Sequence, residues 1–356
     1  MKIIGCDFHT RQQQIAMLDT VTGELVERQL QHQNGEARRF YEQLAKPVRV
    51  GIEATGYTRW FEQLMTELGH ELWMGDAARI RASVVRKQKN DERDAAQILE
   101  LLVQDRFPRI WMPTPEERDL RQLVLHRVKL VQMRTKVMNQ LQAMAMGEGL
   151  CRRKKLWSKV GRAELEGLSL GPWASRRRKE LLELLEQLEK PMAELQQAAR
   201  EQAEAHPAAA RLMTHPGVGP LTSLSFVLTI GPVERFARSR QVSSYLGLDP
   251  RLNCSAGRMK IGAISKQGNS TTRWLLVEAG QTAARKDEDL RRLYRRLKFR
   301  RGSQIAKVAV ARRLAVRLYW MLRSRANYAD LVARLVRMRG SSGSAVMEDG
   351  VHREAE

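Results

Sequence analysis

From residue 2 to 112 the apolar positions come in short bursts separated by turn residues. Residues 2–7, 14–19 and 24–31 read as three β-strands, the last two joined by a turn at Thr22-Gly23. Asn34-Gly35 ends this run, and residues 36–44 take up helical spacing. A fourth strand is predicted at 48–53, a helix at 59–68 and a short strand at 71–74. Helical spacing returns at 77–85 and again at 91–103. Three strands followed by alternating helices and strands predict an α/β domain, a mixed sheet with helices on its faces.

Pro108, Pro113 and Pro115 mark a boundary, and the period then lengthens. Leu120, Leu123, Leu130, Val137, Leu141 and Met144 fall on one heptad-like stripe, with Arg127 and Arg134 in the same frame, until Gly147 and Gly149 stop it. After a basic loop, Arg152-Arg153-Lys154-Lys155, a second amphipathic segment carries Leu181, Leu184, Leu188, Met192, Leu195, Ala199 and Ala203. Pro191 either kinks this helix or begins a new segment. The two helices predict a long antiparallel, coiled-coil-like arm, used for packing within one chain or for dimerisation.

Residues 206–340 read as a further, mainly helical unit. It opens on His215-Pro216-Gly217-Val218-Gly219-Pro220 and an apolar run at 221–230. Gly217-x-Gly219 between two helices suits a helix-hairpin-helix turn whose amides grip a backbone phosphate, although the same residues also make an ordinary tight turn. A helix is expected near 242–246, an irregular loop over 249–268, and a helix from about 271 to 284. The domain expectation is therefore 1–112, 113–205 and 206–340, with a Ser/Gly-rich tail at 341–356 expected to be disordered.

Charge narrows the function. There are 62 Lys and Arg against 40 Asp and Glu, a formal net charge of +22. Seven of the eleven residues from Arg291 to Arg301 are basic, among them Arg291, Arg292, Arg295 and Arg296. Such a balance points to a polyanionic partner, DNA or RNA. Three widely spaced cysteines exclude a disulfide scaffold and argue against a zinc finger. No run approaches a membrane span, and the N-terminus has no signal-peptide stretch, so a cytoplasmic protein with no membrane partner is expected.

Two groups of residues suggest chemistry. Asp7 closes the first strand within Gly5-Cys6-Asp7-Phe8-His9, Glu53 closes the fourth, and Asp91 and Asp94 share one helix face. An acid at the end of a buried strand is costly unless something compensates it, and a divalent cation does so. If the first and fourth strands are neighbours, all four carboxylates converge on the geometry that clamps a phosphodiester. Mg²⁺ suits all-oxygen ligands, with Mn²⁺ as a substitute in vitro. Each acid also has a plain role as a turn, cap or ion-pair residue. The second group is the loop from Pro250 to Lys260, in which Arg251, Arg258 and Lys260 surround Ser255. Composition alone reads it as a phosphate-binding loop with a bystander serine, and Cys254 is a rival nucleophile.

In their order along residues 1–335, these motifs resemble the DEDD-type transposases of the insertion-sequence 110 family, especially the 1111 subgroup. Asp7, Glu53-Ala54-Thr55-Gly56 and the Asp91/Asp94 pair look like that family's RuvC-like, RNase H-fold domain. Pro216 to Gly219, Leu246 to Pro250, Gly262 to Asn269 (which includes Lys266) and Arg273-Trp274-Leu275 follow its transposase domain. The resemblance implies Ser255 as nucleophile, although Cys254 and Ala256 stand where the family often has a second serine and a glycine. It implies a structured bridge RNA as guide, donor and target double-stranded DNA as substrates, and homodimers pairing into a tetramer. It also implies a covalent phosphoserine intermediate. Two readings compete: a RuvC-like junction-resolving nuclease that uses metal and water, and a non-catalytic nucleic-acid scaffold.

Overall fold

The computed structural model describes residues 1–83, 91–152, 155–255 and 258–333, and leaves the side chains of 253–260 aside. The chain divides into two compact units, Met1–Met112 and Pro113–Glu356.

The first unit is a five-stranded mixed sheet. Its elements are β1 (Lys2–Phe8), β2 (Gln12–Asp19), β3 (Leu25–Gln31), α1 (Glu36–Glu42), β4 (Val48–Glu53), α2 (Arg59–Glu67), β5 (Glu71–Gly75), α3 (Ala77–Ala82) and α4 (Asp91–Val103). The strand order is β3-β2-β1-β4-β5. β1 runs antiparallel to β2 and parallel to β4, so it lies at the centre. Strand parity sorts its side chains. Ile4, Cys6 and Phe8 enter one core with Val50, Ile52, Tyr41 and Phe61. Ile3 enters the other core, against Ala95, Ile98, Leu99 and Leu102 of α4. Gly5 and Asp7 share the face of Ile3, which is the α4 face.

Gly5 and Gly51 are partners in the β1–β4 register. A Cβ at Gly5 would lie 2.3 Å from Ala95 O and Leu99 N, and one at Gly51 would lie 2.7 Å from Leu102 Cδ1. The glycine pair therefore lets the α4 backbone settle directly onto the sheet. One step beyond the last registered pair, Cys6 with Ile52, come Asp7 and Glu53.

The second unit is helical apart from one hairpin. It comprises α5 (Pro115–Gly147), α6 (Lys159–Glu166), α7 (Pro172–Ala205), α8 (Pro207–Met213), α9 (Pro220–Ile230), α10 (Ser239–Tyr245), β6 (Pro250–Ser255), β7 (Arg258–Ile264), α11 (Ser270–Lys286), α12 (Glu288–Arg301) and α13 (Ser303–Arg323). Thr114 and Glu117 form a reciprocal capping box, with Pro115 at the first helical position, so α5 starts where the sequence dictates. α9 is apolar all round and is buried over its whole length from Thr222. Its hydroxyls are satisfied internally: Ser225 and Thr229 each lie 2.7 Å from the Thr272 hydroxyl of α11.

Three expectations are corrected. The segment 249–268 is not an irregular loop, since it holds the antiparallel β6–β7 hairpin. Leu252 and Ile261 are 59% and 49% exposed, so no buried alternation marked these strands. Of the two alternatives left open at Pro191, the structure shows no new segment, since α7 runs through it as one helix. The arm stripe also lies slightly differently. α5 buries Val124, Val128, Leu130, Val137, Leu141 and Ala145, and α7 buries Leu182 and Leu185 while Leu184 is exposed. The two helices pack on each other within one chain. The expected helix at 77–85 ends at Ala82. The tail 341–356 lies outside the described residues.

A buried polar network fastens the end of the unit. Asp287 caps α12 through Leu290 N at 2.7 Å, pairs with Arg317 at 2.9 Å and accepts from the Tyr328 hydroxyl. The His215 ring lies 4.4 Å from that of Tyr328, and burial pushes its pKa down to about 4. Between the unfolded value of 6.5 and about 4, the unfolded chain takes up a proton that folded His215 refuses. Stability from this site is thus complete above 6.5 and falls as the pH drops, by about 3 kcal/mol over the whole window. Thermal melts should show this decline, and His215→Gln should flatten it. An unchanged slope in the variant would contradict the assignment.

Candidate functional site

The acidic cluster forms at the end of β1. Asp7 follows the buried run Ile3–Cys6, and its side chain is 17% exposed. α4 begins at Asp91 with three acids in its first turn, Asp91, Glu92 and Asp94, where negative charge suits the helix dipole. Because α4 rests on Gly5, its first turn stands over Asp7.

The resulting group is Asp7, His9 and Asp91. One ligand atom from each lies within 4.8 Å of the others. His9 Nε2 is 3.0 Å from Asp7 Oδ2 and 3.5 Å from Asp91 Oδ2. Burial raises the Asp7 carboxyl above its usual range. His9 opposes this shift, and the negative charges of Asp91 and Asp94 reinforce it. A half-buried carboxylate in the field of two more acids is electrostatically unfinished, and a divalent cation would complete it. The donor set fits such an ion: hard carboxylate oxygens with one borderline imidazole nitrogen.

The structure thus brings Asp7 and Asp91 together and sets Asp94 near enough to act on Asp7. Glu53 is placed differently. Its Oε1 accepts from Arg81 Nη2 at 2.9 Å, and it is not in the Asp7 group. His9 is the residue that sequence reasoning passed over. Its signal was the Asp7-Phe8-His9 string, which sets the histidine just past the end of β1 and two residues from Asp7.

The basic candidates have varied surroundings. Arg152 pairs with Glu164. Lys155 is exposed, and Arg153 and Lys154 lie outside the described residues. Arg291 and Arg292 pair with Glu288, at 2.7 Å and 3.6 Å, whereas Arg295 and Arg296 are exposed. Gly217 has φ 93°, and a Cβ there would lie 2.5 Å from Ala283 N, so this glycine serves close packing on α11. A Cβ at Gly219 would meet nothing within 4 Å. Arg251 donates to Ser265 O at 3.3 Å, and Lys266 is exposed. Ser255 lies at the end of β6, with its backbone paired to Arg258. The side chains of Cys254, Ser255, Arg258 and Lys260 lie outside the description.

A mixed sheet with acids at the ends of its central strands, covered by a helix bringing further acids, is compatible with an RNase H-like domain of DEDD type. Residues 4–147 match the transposase domain of that type in the IS110 group, and residues 209–295 match the family described as Transposase IS116/IS110/IS902. The two matches take in more than half of the chain, which belongs to the IS110/IS116/IS902 family of transposases. Among curated relatives, a probable family 20 transposase of Pseudomonas aeruginosa is 26% identical over 336 residues, 90% of this chain and 96% of its own length. The transposase for insertion sequence element IS1111A of Coxiella burnetii is 29% identical over 68% of each chain. That for IS1328 of Yersinia enterocolitica is 26% identical over 66% of this chain and 70% of its own. Among the described residues, no helix is long and apolar enough to cross a membrane.

Proposed function

We propose that this chain is a DNA recombinase of the transposase class that cuts and rejoins donor and target DNA through Ser255, guided by a structured RNA. The observation that carries the reading is the Asp7–His9–Asp91 group, built where the DEDD motif falls, in a chain that also matches the family's second domain.

Asp7, Asp91 and Asp94, joined by Glu53 on release from Arg81, would hold a divalent cation, taken as Mg²⁺. When bound, that cation neutralises charge on the phosphate and orients it. Ser255 Oγ attacks the DNA phosphorus and gives up its proton, and the displaced deoxyribose oxygen takes one up. One phosphoester bond forms as one breaks, so rejoining by the reverse attack needs no ATP. Arg251, Arg258 and Lys260 flank that phosphate and offset its developing charge. Base pairing with the guide RNA selects both DNA partners, while Arg295, Arg296 and the basic loop at 152–155 hold backbone without reading sequence. The α5–α7 arm is taken as the dimer contact, two dimers making the tetramer.

Incubation with nicked DNA followed by denaturation tests the mechanism. The wild-type protein should remain covalently attached to DNA, and Ser255→Ala should show no adduct. Cleavage that persists in Ser255→Ala without an adduct would establish water as nucleophile and a junction-resolving nuclease instead. RNA copurifying with the protein should be one dominant species, and random cellular RNA would refute guidance.

A further inference from the structure

A cleft of about 590 Å³ opens in the second unit. Its walls come from five segments: Arg121 of α5, Thr229 of α9, Arg235 and Phe236 beyond it, Gln241 and Tyr245 of α10, and the Gln267–Asn269 loop after β7. This loop is pressed onto the end of α10 by two glycines. Gly268 has φ 74°, and a Cβ there would lie 2.1 Å from Tyr245 O, while one at Gly247 would lie 2.0 Å from Gln267 O. The wall is therefore fixed by backbone contact and tolerates no side chain at either position.

Each chemical class in the lining has a distinct use. Arg121 Nε donates to Leu228 O at 3.1 Å, and Arg235 Nη1 donates to Ile230 O at 2.8 Å. Each guanidinium is thus anchored on one side by a backbone carbonyl, and the Glu117 carboxylate also acts on Arg121. Burial lowers the pKa of Arg121, so its charge lies in a poorly solvated wall, where an anion would be bound strongly. Among the described lining residues there is no carboxylate. The Arg235 guanidinium is 5.2 Å from the Phe236 ring and 5.4 Å from that of Tyr245, and Tyr245 is 40% exposed. Asn269 lines the cleft, and with its Oδ1 used in capping α11 its amide NH₂ is the remaining donor of that side chain. Cations, a partly exposed tyrosine ring packed against Arg235 and Phe236, and side-chain amides together match the three parts of a nucleotide: phosphate, base face and base edge. The volume is within the ~300–1,000 Å³ usual for small-ligand sites.

We propose that this cleft receives one unpaired nucleotide of a bound strand. The base stacks on Tyr245, the phosphate lies between Arg121 and Arg235, and Gln241, Gln267 and Asn269 meet the base edge. The loop that forms one wall leads directly from β7, so an occupied cleft fixes the strand beside the Ser255 hairpin. The proposal rests on the reading of this chain as a nucleic-acid enzyme but not on the serine mechanism.

The test uses the full chain with short single strands carrying 5-iodouracil, one DNA and one RNA, irradiated and mapped by mass spectrometry. The expected adduct is on Tyr245, and the strand that gives it identifies the occupant as DNA or RNA. In fluorescence anisotropy, Tyr245→Ala should weaken oligothymidylate binding about tenfold, leaving duplex binding within about twofold. Tyr245→Phe should bind as wild type, which separates stacking from misfolding, and an abasic strand should be insensitive to Tyr245→Ala. Adducts confined to other regions, or equal losses for single strand and duplex, would overturn the cleft while leaving the nucleic-acid reading intact. Failure of the wild-type protein to bind any nucleic acid would overturn both.

Discussion

Gly5→Ala is expected to destabilise the first unit by about 3 kcal/mol or more and to abolish strand cleavage. The added methyl would sit 2.3 Å from Ala95 O and Leu99 N and 2.8 Å from Leu99 Cα. All three atoms are α4 backbone, so no side-chain rotation relieves the clash and the helix itself must lift. α4 carries Asp91 and Asp94, and a displacement of about 1 Å costs a positioned site about a hundredfold in rate. Gly51→Ala is the natural comparison. The three atoms nearest its methyl all belong to the Leu102 side chain, the first at 2.7 Å, so its melting temperature should fall less. Thermal melts of the two variants with a cleavage assay decide the point. A Gly5→Ala protein that melts and cuts as wild type would show that α4 does not set the cluster.

Asp7→Asn is expected to cost about 10²–10³-fold or more in cleavage while raising the stability of the protein in chelator. Burial and the neighbouring acids lift the folded pKa of Asp7 above its unfolded value. The folded chain therefore keeps this proton to higher pH than the unfolded chain does. Stability at this position is greatest below the unfolded value and declines as the pH rises through the folded one. Asparagine removes the charge and with it the decline. Without divalent cation at neutral pH, the variant should melt higher than wild type. Added Mn²⁺ should raise the wild-type melting temperature and leave the variant unmoved. A variant that melts lower in chelator and still cuts DNA would overturn the role given to Asp7.

The sheet was legible because its inner strands β1, β2 and β4 bury runs of apolar side chains and its strands are bounded by turn residues. Ile3–Cys6 is a continuous apolar run because α4 covers one side of β1 and the α1–α2 layer the other. The β6–β7 hairpin was not legible because Leu252 and Ile261 are exposed, and alternation carries a signal only where one face is buried. Within the site, Asp7 and Asp91 could be paired from strand ends and helix spacing. The Glu53–Arg81 contact could not, since it depends on how α3 folds back over a separation of 28 positions. His9 was overlooked for a similar reason. Its spacing from Asp7 is local, but its approach to Asp91 exists only once α4 has settled on Gly5.

At 33 and 34 residues, α5 and α7 are rods of roughly 50 Å. Their two ends belong to separate apolar clusters. Val124 and Ala203 join the core around α9, while Val137, Leu141, Leu182 and Leu185 close a second cluster with Leu156 and Leu165 around α6. Each cluster has its own set of buried residues, so a chain shortened at the α6 end is expected to keep the core around α9.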